Sequence, residues 1–367
     1  MNCRHFGVCG GCTLPGVPYA EQLAKKRAFL SRLLGIDVPP FIPSPSESGF
    51  RSKVAFVFGN GVMGHYARGS QRIVPIQECP VHHERGNRIA FGIASAFARS
   101  ASFGATGSLR GLLRHVIVRT TADGREATAM LVVSRNDKAL RAPVKRFLAS
   151  SDKPDGFFVN IHTKPGPFMV GEETIKIEGR SHVKEIVGGV SYLVSPTAFF
   201  QTNVGAAEIL VRLVLESIGP SQRVLDLYCG SGLFSLPIAK AGATVMAVEE
   251  NRQAIADAES NVRLNRLPPG RIRFIASRVE DVLARAGKNP WDAVVLDPPR
   301  QGCPDAVIAG VFERIRPARV VYVSCNPDAL AKELPVILKS GYRVTRVQPV
   351  DMFPHTDHIE TVVSFAR

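Results

Sequence analysis

From about residue 200 onward, short apolar runs return at regular intervals. RVLDLYCGSG, TVMAVEE, RIRFIAS, WDAVVLDPP and RVVYVSCN each read as a strand, and a helix-length segment separates each from the next. Few folds accept this alternation. Strands joined by helical crossovers must run parallel, and a parallel sheet needs helices on both faces. Five such units predict a doubly wound, Rossmann-like α/β sheet. The tail breaks the pattern, because YRVTRVQPVD and HIETVVSFA are two more strands with no helix between them. A seven-stranded sheet ending in a β-hairpin is expected.

Upstream the texture differs. YAEQLAKKRAFLSRLLG spaces Leu23, Arg27, Leu30 and Leu34 as a helix would, with Gly35 as its C-cap, and VPPFIPSPSESG reads as a linker. Between Phe50 and Val194, KVAFVFGNGVMGHY predicts a hairpin about Gly59-Asn60-Gly61, and a second is expected about Asp123-Gly124. Helical stretches at 85–100 and 137–149 interleave with these strands. An α+β central domain fits.

Charge divides the chain along the same line. Of the overall +14, residues 1–190 carry +12 and residues 191–367 only +2. A basic half implies a polyanionic partner, since phosphates attract Lys and Arg. No apolar run is long enough to cross a bilayer, and the first residues lack a signal-peptide core, so a soluble, cytoplasmic protein is expected. Seven cysteines is an odd count for a disulfide framework. Cys3, Cys9, Cys12 and distant Cys79 form a soft donor set that by spacing suits zinc or iron–sulfur equally.

The strand ends carry the chemistry. In Asp226-Leu227-Tyr228-Cys229-Gly230-Ser231-Gly232, glycines let backbone amides approach a ligand at a helix start. Glu249, ending the second strand, can accept both hydroxyls of a ribose. The turn is not G-x-G-x-x-G, and an acidic residue closing the first strand suits the amino-acid end of S-adenosylmethionine better than a pyrophosphate. Asp297-Pro298-Pro299 ends the fourth strand; Arg300 follows where an amine-methylating enzyme would place Tyr or Phe. Cys325 ends the fifth strand, placed either as a nucleophile or as an inert buried thiol. Cys229 and Cys303 read as structural. Arg51 and Lys53, in Phe50-Arg51-Ser52-Lys53, are candidates for gripping phosphate.

Taken together, DPPRQGC, VYVSCNPDALAKEL, DMFPHTDHIETV, FFQTN and DLYCGSG closely resemble the signature regions of the RNA uracil-C5 methyltransferases, over residues 199–367. CRHFGVCGGC resembles the iron–sulfur members acting on ribosomal RNA. The resemblance implies an S-adenosylmethionine-dependent methyltransferase domain (15–46 and 199–367) and a central RNA-binding domain (1–14 and 47–198) holding a 4Fe–4S cluster on Cys3, Cys9, Cys12 and Cys79. It implies Cys325 as nucleophile and Glu360 as base, with Gln201, Tyr228, Glu249 and Asp297 at the S-adenosylmethionine site. Leu233 stands where some tRNA-acting members have Asn, so no contact is carried over there. With the cysteines starting at residue 3 and no preceding β-barrel, the chain resembles the bacterial 23S rRNA enzymes that methylate a hairpin-loop uridine, and it is expected to act as a monomer. Three alternatives are a tRNA uridine-C5 methyltransferase, a cytosine-C5 methyltransferase and a non-catalytic iron–sulfur RNA-binding protein. The cytosine enzyme would be expected to carry a Cys after the Pro of the fourth-strand motif, where this chain has Pro299-Arg300. Retention of both Cys325 and Glu360 argues against the non-catalytic protein.

Overall fold

A computed structural model describes residues 1, 3–14, 16–99, 111–164, 169–285 and 291–367. Its first sheet comprises β1 (Lys53–Gly59), β2 (Val62–Tyr66), β3 (Ile73–Pro75), β4 (Leu113–Thr120), β5 (Ala127–Val133), β6 (Gly156–Ile161) and β7 (Glu173–Gly179). A two-stranded ribbon follows, β8 (Val183–Val187) and β9 (Val190–Val194). The second sheet comprises β10 (Arg223–Leu227), β11 (Thr244–Glu249), β12 (Ile272–Ala276), β13 (Ala293–Leu296), β14 (Arg319–Ser324), β15 (Arg343–Val350) and β16 (Glu360–Ala366). The α-helices among the described residues are α1 (Tyr19–Leu34), α2 (Glu84–Ala98), α3 (Arg141–Leu148), α4 (Val204–Ile218), α5 (Ser235–Lys240), α6 (Arg252–Leu264), α7 (Val279–Arg285), α8 (Asp305–Ala309) and α9 (Pro327–Lys339). None is long and apolar enough to cross a membrane.

The second sheet runs β12-β11-β10-β13-β14-β16-β15, parallel through β14, with β16 inserted antiparallel between β14 and β15. The expected five parallel units and terminal hairpin are all present. Apolar side chains of its strands, alternating in direction, feed two cores. On one face Leu210, Val214, Leu236 and Ile238 pack against Val224, Val245 and Val321. On the other, Leu283, Phe312, Leu330 and Ile337 pack against Leu225, Val294 and Val320. Each fully buried Val, Leu, Ile or Phe side chain contributes about 1.5–3 kcal/mol. The ribbon β8–β9 shares the first of these cores through Val183, Val187, Tyr192 and Val194. Packing with the second sheet thus begins at 183, ahead of residue 199, because the ribbon's alternating apolar residues turn into that core.

The first sheet runs β3-β2-β1-β4-β5-β6-β7 and is antiparallel except for β5–β6, which α3 connects. Both hairpins form where expected: Asn60 and Gly61 adopt positive φ between β1 and β2, and Gly124 does so between β4 and β5. The helix expected over 85–100 is α2, ending at Ala98; residue 100 lies outside the described residues, as does residue 15 at the expected change of domain. α2 and α3 cover one face through Ile89, Ile93, Phe97 and Phe147.

Between the two sheets runs a short seam. Ser52 donates to the Thr202 carbonyl from both its backbone N (2.7 Å) and its hydroxyl (3.0 Å), and Arg119 Nη2 donates to the Ala198 carbonyl at 2.9 Å. α1 ends at Gly35 (φ 67°) as predicted and packs its Leu30 with Val38, Phe41 and Ile359 on the second sheet's side.

Candidate active site and thiol cavity

Strand register brings the chemical residues together. β14 and β16 pair antiparallel with Val323 opposite Val362 and Ser324 opposite Thr361, so one step further sets Cys325 across from Glu360. β13 pairs with β14 through Leu296 and Tyr322, which brings Asp297 to the same edge. That edge is the C-terminal end of the parallel strands, where open α/β sheets bind ligands.

The electrostatics there are unusual. Glu360 is 3% exposed, and burial, then Asp297, push its carboxyl well above the usual range. Cys325 is half-buried; burial, then Glu360 and Asp297, push its thiol up to about 11. Arg300, which no strand pattern singled out for this role, is the cation that pulls both back down. The Asn326 side chain, capping α9, fixes the Arg300 carbonyl at 2.7 Å. A thiol, a carboxyl and a guanidinium are thus gathered at one edge, in a setting where removing water strengthens every charge.

One strand over, the glycine turn follows β10. Tyr228, Gly230 and Gly232 all have positive φ, and a Cβ on Gly232 would lie 2.2 Å from Leu236 Cδ1, so this turn needs glycine at its end. Glu249 accepts from the Gly230 N–H at 3.1 Å and from the Asn251 N–H at 2.8 Å. Asp226 does not face open solvent as the end of a strand could; it is fully buried, accepts from the Ser235 hydroxyl, and leaves its other oxygen without a partner. Burial raises its carboxyl to about 7, and burial with Asp226 nearby raises Asp297, which keeps some surface open to the crevice, likewise to about 7. A cationic ligand is what these two carboxyls lack. Tyr228 turns its hydroxyl into a buried position without a hydrogen-bond partner, and burial, then Cys303 and Glu280, raise it. Gln201 is half-buried on the seam just before α4. Beside it Phe199, two positions ahead of Gln201 in FFQTN, is 76% exposed. Strand and helix patterns gave no sign of that exposure.

The loop from Asp351 to Ile359, which delivers Glu360, is fastened from afar. Lys26 of α1 is 3% exposed and meets Asp351, 0% exposed, at 2.7 Å. Gln22 accepts from the His355 N–H at 2.8 Å, and the Thr13 and Leu14 N–H groups donate to the His355 carbonyl at 3.0 Å. Asp357 N–H donates to the Thr13 hydroxyl at 2.7 Å.

One residue before Thr13, the cysteines converge. Cys3, Cys9, Cys12 and Cys79 line one cavity with His65, Phe6, Ile76 and Val81. Burial pushes the Cys12 thiol up to about 11 and Cys79 up to about 12, the other thiols adding to both. Burial pushes His65 down to about 4 and His82 well below its ordinary value. Arg51 bridges cavity and active site: burial lowers its pKa, Cys79 and Cys12 oppose that, Arg300 adds to it, and its guanidinium carbon stands 6.0 Å from the centre of the Phe353 ring. Arg51 and Lys53, the candidates for gripping phosphate, lie where β1 begins beside the seam. Both are half-buried, and burial followed by Arg119 lowers Lys53 to about 8. Cys229 and Cys303 are buried, at 5% and 8% exposure.

Comparison with known proteins agrees with this layout. The sequence profile of the tRNA (uracil-5-)-methyltransferase family matches residues 172–367. An uncharacterized RNA methyltransferase of Geobacter sulfurreducens is 34% identical over all of this chain and 77% of its own length. One from Gloeobacter violaceus is 33% identical over 98% of this chain and 81% of its own. The crystal structure of the Pyrococcus abyssi tRNA (uracil-54, C5)-methyltransferase, in complex with S-adenosyl-L-homocysteine, superposes with a TM-score of 0.83 at 28% identity, covering 98% of this chain and 86% of that one. Fold and relatives agree: the chain belongs to the tRNA (uracil-5-)-methyltransferase family and is an S-adenosylmethionine-dependent RNA methyltransferase.

Proposed function

We propose that the protein methylates C5 of a particular uridine in RNA through a covalent bond between Cys325 and C6 of the base. The observation that carries this reading is the β14–β16 register, which supports a nucleophile and a base acting on one ring. S-adenosylmethionine, when bound, supplies an electrophilic methyl group, and its ammonium and sulfonium charges suit the unpartnered Asp226 oxygen and the raised Asp297 carboxyl. Gln201, Tyr228 and Glu249 complete its site.

Uracil C5 is a weak nucleophile. Cys325 gives up its proton to solvent and adds to C6, which pushes the C5–C6 electron pair toward C5 as an enolate. Arg300 favours the thiolate, opposing the burial that holds the thiol neutral. C5 takes the methyl group of S-adenosylmethionine; the S–CH3 bond breaks, its electron pair stays on sulfur, and S-adenosylhomocysteine is the leaving group. Glu360 then removes the C5 proton; that electron pair restores the C5–C6 double bond and expels the Cys325 thiolate. The target base must leave its stack for a thiolate to reach C6, and exposed Phe199 offers a face for an unstacked base.

The favoured substrate is 23S rRNA, on the strength of the four-cysteine segment, and the protein acts as a monomer. A tRNA substrate is the second reading, favoured by the likeness to the Pyrococcus tRNA enzyme. We assign a 4Fe–4S cluster to Cys3, Cys9, Cys12 and Cys79. A single tetrahedral zinc ion with bonds of about 2.3 Å draws its sulfurs to within roughly 3.8 Å of one another. Among the described residues the four thiols form no group within 4.8 Å, while they do line one cavity, which favours a larger multi-iron group with thiolates on separate irons. Its role is to hold the segment ending at Thr13.

Trapping tests the chemistry. RNA carrying 5-fluorouridine should form a stable adduct with the protein, because fluorine cannot leave as a cation, and peptide mapping should place it on Cys325. Methylation of ordinary RNA without any adduct on the fluorinated RNA overturns the covalent route. Mapping 5-methyluridine in both RNAs of a deletion strain decides the substrate: loss from tRNA alone rejects the ribosomal assignment. Anaerobically purified protein should be brown with about four irons per chain; a colourless, zinc-loaded protein rejects the cluster.

A further inference from the structure

Beside the thiol cavity stands a smaller constellation. His65 on β2, with Cys79 and His82 on the segment between β3 and α2, each offer one ligand atom, and all three atoms lie within 4.8 Å of one another. The fold holds them there. The His65 ring stacks on Phe56 at 4.6 Å, His82 meets the same ring edge-on at 5.2 Å, and the two imidazoles stand 5.5 Å apart at 79°. Asn87 of α2 donates to the Cys79 carbonyl at 2.9 Å and lies beside the His82 ring. His82 is 3% exposed; its Nδ1 and the Asn87 Oδ1 are both buried without a hydrogen bond of good geometry, although the Asn87 side chain lies close enough to favour the protonated ring. A polar atom sealed in this way normally has a partner.

We propose that His65, Cys79 and His82 form a binding site for a single divalent first-row transition cation, separate from the four-thiol set but sharing Cys79 with it. Two imidazole nitrogens and one thiolate suit Zn²⁺, Co²⁺ or Fe²⁺, and three protein ligands leave a fourth position for water. On binding, the Cys79 S–H bond breaks, its proton goes to solvent, and the sulfur's electron pair forms the bond to the metal. An iron of the cluster and this cation need the same sulfur, so the two occupancies exclude one another. The single cation is the occupant of a chain that has not received, or has lost, its cluster. It keeps the Cys79 segment closed, and with it the Arg51 strand, whose N–H donates to the Val81 carbonyl at 2.9 Å and whose carbonyl accepts from the His83 N–H at 3.0 Å.

The test uses the full chain, freed of metal with a chelator under anaerobic conditions and titrated with Co²⁺ alone. One equivalent should bind, with thiolate-to-cobalt charge-transfer absorption and the strong visible bands of a tetrahedral ion. His65→Leu and His82→Leu should each weaken Co²⁺ binding by more than the roughly 10–100-fold cost of losing an outer-shell partner. Cys3→Ser combined with Cys9→Ser should leave it unchanged. Circular dichroism establishes folding, and His65→Gln and His82→Gln stand in should the Leu variants not fold. Undiminished Co²⁺ affinity in folded histidine variants, or its loss in the Cys3/Cys9 double variant, overturns the proposal. The cluster assignment is separable, because Co²⁺ binding does not require it. Adding equal amounts of Fe²⁺ and Fe³⁺ with sulfide, which balances the electrons of a [4Fe–4S]²⁺ core, to the cobalt-loaded wild type should displace the cobalt as the cluster forms, and a chain holding both at once overturns the sharing of Cys79.

Discussion

Asp351 and Glu360 close the two ends of one loop, and both are buried, at 0% and 3% exposure. They differ in company. Asp351 holds Lys26 at 2.7 Å, while Glu360 has no ion pair among the described residues and feels Arg300 only as a neighbouring charge. Burial lowers Lys26, and Asp351 pulls it back up, so each charge in that pair depends on the other. A carboxylate with its cation beside it is a fastener. One that burial keeps well above its ordinary range is poised to exchange a proton, which is what removal of the C5 proton asks of it.

The contrast breaks first at the chemistry. Cys325→Ala should abolish both turnover and adduct. Glu360→Gln should cut turnover by about 10²–10⁴-fold while a methylated protein–RNA adduct accumulates as a slow band on a denaturing gel, with little change in stability. Product released at the wild-type rate by Glu360→Gln would remove it as the base. Next comes Asp351→Asn, which strands Lys26 in the interior and should cost about 3–5 kcal/mol in denaturant unfolding; replacing both partners by Met and Leu should recover most of it. If Asp351→Asn unfolds like wild type, the pair fastens nothing.

Smaller effects sharpen the same contrast. Arg300→Gln removes the cation that lowers Cys325, so its thiol, already near 11, should rise further. The pH dependence of iodoacetamide labelling at Cys325 should move upward by on the order of one pH unit, a tenfold slowing at fixed pH. An unmoved profile would detach Arg300 from the thiol. Smallest of all, Lys53→Gln should flatten the salt dependence of RNA binding by about one unit in log–log slope. Because burial brings Lys53 down to about 8, its charge is present below that pH and lost above it. Wild-type affinity should therefore fall toward that of the variant as pH rises through 8, and an equal gap at pH 7 and pH 9 removes Lys53 from the contact surface.

Local signals made the alternating half of the chain legible. Parallel strands separated by helices, the glycine turn and the Gly35 cap are each written within a few residues. Cys325 and Glu360 could be named from motifs, yet their meeting depends on β16 lying antiparallel beside β14, a register that no window of sequence contains. The same applies to Lys26 and Asp351, 325 positions apart. The partial burial of Arg51 and Lys53 was hidden for the opposite reason. Their charges suggested a surface, whereas the seam at Ser52 and Thr202 draws that strand inward. Phe199 went unread because exposure of a single aromatic residue carries no periodic trace.

The fastening of the Asp351–Ile359 loop also bears on how the chain is made. Its holders, Thr13, Gln22 and Lys26, are synthesised hundreds of residues before the segment they grip, and β16 must slot between two strands made earlier. Closing so long a span is slow relative to forming local contacts, since its entropy is lost before its bonds are gained. A nascent chain can thus complete its first sheet while the second still lacks its next-to-edge strand and Glu360. Cys325 and Glu360 come into register only at the end of folding, and on the proposed chemistry a partly made polypeptide is inactive.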